Sequence, residues 1–191
     1  MVNTNGLPVL RQFLMEYGSI MGLSWTAIFA LYVIGFRSGN GIFLLLAFLG
    51  LLGNVALEFY FGIRVKKRSV QLNLSLSPLF TFVNIFSMFM YACLLCGAME
   101  YLYFQAIDKG TLIAAIGQMV EQSDVKQTYY QMGMKESYDQ VVSLINEVSS
   151  LSALDKVILL FNQNFFTSLI IAVPVTMANW FYKPKDVAQA E

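Results

Sequence analysis

Residues 69–99 read SVQLNLSLSPLFTFVNIFSMFMYACLLCGAM, 31 consecutive positions between Arg68 and Glu100 without one Asp, Glu, Lys or Arg. A charge at the bilayer centre costs about 2.5–3.5 kcal/mol on insertion scales, so a run of this length marks a segment that crosses lipid. An α-helix needs about 20 mainly apolar residues, rising about 1.5 Å each, to span about 30 Å of hydrocarbon. Three further uncharged runs meet that requirement: 20 residues between Glu16 and Arg37, 20 between Arg37 and Glu58, and 26 between Lys156 and Lys183. The sequence therefore predicts an all-α fold, an integral membrane four-helix bundle forming a single membrane domain over 1–191, with spans near 17–36, 42–63, 78–107 and 157–182.

Composition agrees with this reading. Only 13% of the 191 residues are charged and 57% are apolar, against a charged fraction of about 25% in soluble domains. Twelve basic and 12 acidic residues balance, which gives no electrostatic reason to expect nucleic acid as a partner. The chain has no histidine, so imidazole-based catalysis and the commonest metal sites lose their main component. No Walker, G-x-S-x-G or dinucleotide motif is present. The protein is expected to be no enzyme and to need no cofactor.

The connectors carry their own signals. Arg37-Ser38-Gly39-Asn40-Gly41 is turn-rich and joins the first two spans as a tight hairpin. Residues 64–77 form the second connector, and Pro78 suits the first turn of span three, where a missing N–H costs little. At about 30 residues span three would measure about 45 Å, so it tilts or projects beyond the hydrocarbon. A signal peptide is the competing reading of span one. Its apolar stretch is too long, no small-residue cleavage site follows Phe36, and a second span comes at once.

Four spans place both termini and the second connector on one side. That side holds Arg11, Arg64, Lys66, Lys67, Arg68, Lys183 and Lys185 close to span ends. The positive-inside rule makes it cytoplasmic, in a bacterial inner membrane, with residues 108–156 periplasmic or exterior. This insert carries seven acidic and four basic residues. Leu112, Ile113, Ile116, Met119 and Val120 recur at helical spacing, as do Tyr138, Val141, Val142, Ile145 and Val148, so two amphipathic helices are expected. Gly133 is the expected break between them, and Ser152-Ala153-Leu154-Asp155 resembles a capping signal for span four. The acidic bias favours a helical hairpin packed on itself or on a partner over helices lying in the membrane surface.

Ionisable groups within a span are functional candidates because burying them is costly. Glu58 and Glu100 qualify. Glu58 shares a helix face with Asn54, and Asn84 and Asn179 fall at similar depth on spans three and four, so the four suggest a polar layer on the cytoplasmic side. Glu100 lies towards the opposite surface, where Asn162, Gln163 and Asn164 enter span four and where Tyr101 and Tyr103 suit an aromatic belt. Such layers serve either as an ion or proton path or as hydrogen-bonding glue between helices. Cys93 and Cys96 form a C-x-x-C in an apolar helix with no third ligand, a pattern better suited to close packing than to redox or metal chemistry. Gly18 and Gly22 form a GxxxG in span one. The Arg64, Lys66, Lys67 and Arg68 cluster orients the chain, and is also a candidate contact for lipid head groups or a phosphate.

The Gly-containing first span, the Arg64-Val65-Lys66-Lys67-Arg68 cluster, the Tyr101-Leu102-Tyr103 to Ile107-Asp108 end of span three and the helical insert together resemble an uncharacterised bacterial family of small four-span inner-membrane proteins, a domain of unknown function. The resemblance covers nearly the whole chain and brings no catalytic residue with it. It implies a companion role beside membrane glycosyltransferases that use polyprenyl phosphate.

Two function classes follow. One is a non-enzymatic subunit or scaffold that packs against a membrane-protein partner or another copy of itself within the lipid bilayer. The other is a small oligomeric transporter or lipid-handling protein using Glu58 and Glu100. No internal repeat relates 1–68 to 69–191, and four spans are few for a monomeric solute path.

Overall fold

The computed structural model describes residues 6–74 and 77–181. Within them the chain forms α1 (Leu7–Ser38), α2 (Gly41–Gln71), α3 (Pro78–Leu102) with a π-helical extension (Tyr103–Asp108), α4 (Thr111–Val120), α5 (Ser123–Gln131), α6 (Lys135–Ser150) and α7 (Ala153–Phe181). No strand occurs among the described residues. Four helices are long and apolar enough to cross a membrane: Leu7–Ser38, Gly41–Gln71, Pro78–Asp108 and Ala153–Phe181. They mark the chain as a multi-pass membrane protein.

The helices overrun the predicted spans. α1 starts at Leu7, ten residues before the expected 17, and α2 continues to Gln71, past the expected 63. Absence of charge locates hydrocarbon, whereas a helix needs only its own backbone hydrogen bonds and good helix formers, among which Lys and Arg rank high. The basic cluster is therefore not a loop but the closing turns of α2, where cations also favour the negative end of the helix dipole. That helix stops through backbone bonds from Leu74 to the Ser69 carbonyl and from Asn73 to that of Val70, with Asn73 left-handed at φ 51°. The expected end of span four at Tyr182 and the Lys183-Pro184-Lys185 stop lie outside the described residues.

Residues 111–150 correct the expectation of two helices: there are three. α4 and α6 carry the two apolar stripes, but α5 (SDVKQTYYQ) has too few apolar positions to show a period. Gly133, at φ 72°, makes the break between α5 and α6. The capping signal before α7 is real: the Ser152 hydroxyl bonds Asp155 Oδ2 at 2.6 Å and accepts the Asp155 N–H at 3.2 Å. Ser77 caps α3 in the same manner by accepting the Phe80 N–H at 3.2 Å, with Pro78 first in the helix.

Contacts divide the chain into two compact units, one of Met1–Thr26, Leu51–Cys96 and Phe161–Glu191, the other of Ala27–Gly50 and Gly97–Leu160. In the first, α1, α2, α3 and α7 share a core built around Leu10, Met21, Phe61, Val65, Met88, Phe89, Ala172 and Val175. Gly18 and Gly22 let α1 approach α3: a Cβ on Gly18 would stand 2.5 Å from the Met88 carbonyl oxygen, and one on Gly22 2.9 Å from that of Ala92. The GxxxG is thus an internal packing device. Cys93 and Cys96 are buried, with Cys93 Sγ 3.6 Å from the Ser168 hydroxyl.

In the second unit the α1–α2 hairpin turns through Asn40, whose Oδ1 accepts the Ile42 N–H at 3.0 Å. Asp108 organises the end of the π-helical turn. Its carboxylate accepts the N–H groups of Leu112 (2.7 Å) and Gly110 (3.2 Å) and the hydroxyls of Tyr103 and Thr111 (both 3.1 Å). Those bonds explain how a carboxylate 1% exposed is tolerated and how α4 begins without a conventional cap.

Candidate functional site

The site follows from one face of α2 in the first unit. Asn54, Glu58, Phe61, Val65 and Ser69 recur every three or four residues and are all buried. Asn54 is tied to α1, its Oδ1 accepting the Ser24 hydroxyl at 2.7 Å. Glu58, only 4% exposed, lies one turn further on, and its Oε2 has no hydrogen-bond partner among the described residues.

α7 supplies the facing groups. A Cβ on Gly62 would stand 2.5 Å from Val175 Cγ1 and 2.6 Å from Asn179 Nδ2, so glycine is what admits the Asn179 amide against α2. One turn later, Lys66 donates its ammonium to the carbonyl of Asn179 and, at 3.4 Å, to that of Trp180. Advancing along α2 therefore advances along α7, and the two helices run in the same direction. One turn back from Gly62, Glu58 comes level with the turn of α7 from Ile171 to Val175, ahead of Thr176 and Asn179.

Asn179 Nδ2 donates one of its two N–H groups to the Val175 carbonyl of its own helix at 2.8 Å. Asn179 is 1% exposed and Thr176 8%; neither Asn179 Oδ1 nor Thr176 Oγ1 has a hydrogen-bond partner among the described residues. Three buried oxygens thus lack a partner within two turns of two adjacent helices, where an unmet polar atom is costly.

The remaining predicted residues divide. Asn84 turns its Nδ2 to the Phe80 carbonyl at 2.8 Å and lines a separate groove of about 280 Å³ between α1 and α3, with Leu10, Arg11, Leu14, Ser87 and Tyr91. Asn164 is half-buried on α7. Glu100 is 3% exposed and belongs to the second unit. Within the basic cluster, Arg64 clasps the Tyr60 hydroxyl at 2.7 and 2.9 Å, Arg68 bonds Gln71 at 3.2 Å, Lys67 is exposed, and Lys66 caps the carbonyl end of α7.

Thr176 escapes a search for acids and amides because a hydroxyl in a membrane helix ordinarily bonds its own backbone. Its place three residues before Asn179 is the signal that pairs them. Asp108 and Ser24 escape because their importance lies in a partner distant in sequence or in a local turn.

A family model described as "Protein of unknown function (DUF4199)" matches residues 16–178. Comparison with curated proteins and with solved structures finds no match.

Proposed function

The chain belongs to that family, and we propose that it works as a non-enzymatic subunit or scaffold of a membrane complex. The observation that carries this reading is the apolar surface exposed on α5, α6 and the turn between them. Around the α5–α6 turn Tyr130, Met132 and Met134 are 42%, 68% and 44% exposed, and Leu144 on α6 is 58% exposed. Large apolar groups left in water cost about 25 cal/mol per Å², and methionines adapt readily to a partner's surface. On this reading residues 108–156 face the periplasm or exterior, both termini are cytoplasmic, and the membrane is a bacterial inner membrane. The basic residues at the end of α2 support that orientation. The partner implied by the resemblance is a glycosyltransferase that uses polyprenyl phosphate.

Purification in mild detergent with identification of co-purifying proteins tests the proposal. A stoichiometric membrane partner retained by the wild type and lost from a Met132→Lys, Met134→Lys variant of unchanged melting temperature is the expected result. A homo-oligomer with bound lipid and no partner would overturn it. One observation favours the second reading, a small oligomeric transporter using Glu58 and Glu100: Glu58 Oε2 is buried without a hydrogen-bond partner.

A further inference from the structure

We propose that the groove between α1 and α3 binds one anionic phospholipid, with its phosphate on Arg11 and its glycerol and first acyl carbons against the leucines below. The site stands independently of the partner reading, because it is read on the isolated protein.

Helix register fixes the depth of the groove. A Cβ on Gly18 would stand 2.6 Å from Tyr91 Cβ, and one on Gly22 3.0 Å from Leu95 Cβ, so α1 and α3 run side by side in the same direction. Gly18 is level with the turn from Met88 to Tyr91. Arg11, seven residues earlier, lies about 10 Å nearer the membrane surface at which both helices begin, level with the turn that ends at Asn84. The uncharged run of α1 starts at Tyr17, which leaves Arg11 about 9 Å before it, within reach of the head-group layer. Tyr91 lies just inside the hydrocarbon. The groove therefore has a cationic mouth and an apolar inner end, the polarity of a lipid seated from the bilayer.

Arg11 lacks a counter-ion. It is exposed in the groove and makes no hydrogen bond or ion pair among the described residues. Glu16, the next acid on α1, lies about 140° round the helix and accepts the Gln12 amide at 3.1 Å. α3 has no acid before Glu100. Gly6 beside Leu72 and Ser24 bonded to Asn54 set α2 antiparallel to α1, so Glu58 is level with residue 20, about 13 Å along from Arg11. A guanidinium is always charged, and its planar fork matches two phosphate oxygens.

The rest of the lining selects a lipid over a free phosphate. The groove holds about 280 Å³, room for about nine waters at about 30 Å³ each, and Leu10 and Leu14 form its apolar wall. A phosphate alone would leave those leucines wet. Asn84 and Ser87 each donate one hydrogen bond to a carbonyl of their own helix, at 2.8 and 2.7 Å. Asn84 keeps a second N–H, and both side chains keep an accepting oxygen, which suits the ester and hydroxyl groups of a glycerol head. A zwitterionic head would bring its ammonium to a face of α1 and α3 that holds a cation and no acid, so a net anionic lipid is preferred.

The test is native mass spectrometry of the full chain in detergent, titrated with dioleoylphosphatidylglycerol, dioleoylphosphatidylcholine or inorganic phosphate, with melting temperatures measured alongside. One phosphatidylglycerol is expected to bind and to raise the melting temperature. Phosphatidylcholine is expected to bind several-fold more weakly, and inorganic phosphate at equal concentration to have no effect. Arg11→Gln is expected to weaken phosphatidylglycerol binding about tenfold or more, the usual loss for a hydrogen bond to a charged group. Ser87→Leu fills the groove while keeping Arg11, and is expected to weaken binding comparably. Lys67→Gln removes an exposed cation at the same membrane surface and is expected to change the affinity less than about twofold. Melting temperatures without lipid identify the variants that fold as the wild type does. Wild-type affinity in Arg11→Gln or in a folded Ser87→Leu, an equal loss in Lys67→Gln, or equal effects of phosphatidylcholine or inorganic phosphate would overturn the proposal.

Discussion

Gly62 of α2 and Asn179 of α7 stand so close that a methyl group on the glycine would lie 2.6 Å from the amide nitrogen. This contact sets the approach of the two helices and aims the Asn179 oxygen away from its own backbone bond. Gly62→Ala is expected to cost about 1–3 kcal/mol, the usual penalty of overpacking. Gly53, on the same helix with nothing within 4 Å of its Cβ position, is the control: Gly53→Ala is expected to be neutral or to stabilise by up to about 1 kcal/mol. Melting temperatures in detergent compare the two.

Lys66 ties the closing turn of α2 to the carbonyl end of α7. Lys66→Met removes the ammonium that the Asn179 and Trp180 carbonyls accept, an interaction worth about 0.3–2 kcal/mol. Amide hydrogen exchange over residues 176–181 is expected to quicken, while that of α4 is unchanged.

Asp108 carries four hydrogen bonds through its carboxylate. Asp108→Ala strands the Leu112 and Gly110 N–H groups, at a cost of about 1–3 kcal/mol. Loss of exchange protection should centre on 110–114. Asp108→Asn keeps one acceptor oxygen and is expected to lose less.

Ser152→Ala deletes the hydroxyl that accepts the Asp155 N–H. A loss of about 1 kcal/mol is expected, the typical value for an N-cap, with faster exchange in the first turn of α7.

How far the sequence could be read depended on the physics each feature obeys. The four spans were legible because lipid excludes charge, and a missing charge is visible residue by residue. Helix ends were not, because α1 and α2 continue beyond the hydrocarbon on backbone bonds that charged side chains do not interrupt. α5 stayed hidden because the residues 123–131 present no apolar stripe to a core.

Within the candidate site, Glu58, Asn54 and Asn179 were legible as costly polar groups in apolar runs. What joins Asn179 to α2 is Gly62, a residue whose significance is the side chain it lacks. Thr176 became visible only through its unmet hydroxyl. Lys66 illustrates the opposite limit. Its neighbours in sequence make it one of four like cations, whereas its ammonium belongs to the end of another helix.

The central claim, a multi-pass protein whose basic α2 terminus and acidic α4–α6 segment face opposite sides of the membrane, is tested most directly by cysteine accessibility. With Cys93 and Cys96 replaced by Ala, single cysteines at Lys67 and Tyr130 are treated in intact cells with a membrane-impermeant thiol reagent. The account predicts that the cysteine at 130 is labelled at once and the one at 67 only after permeabilisation; labelling of both from the same side would contradict it.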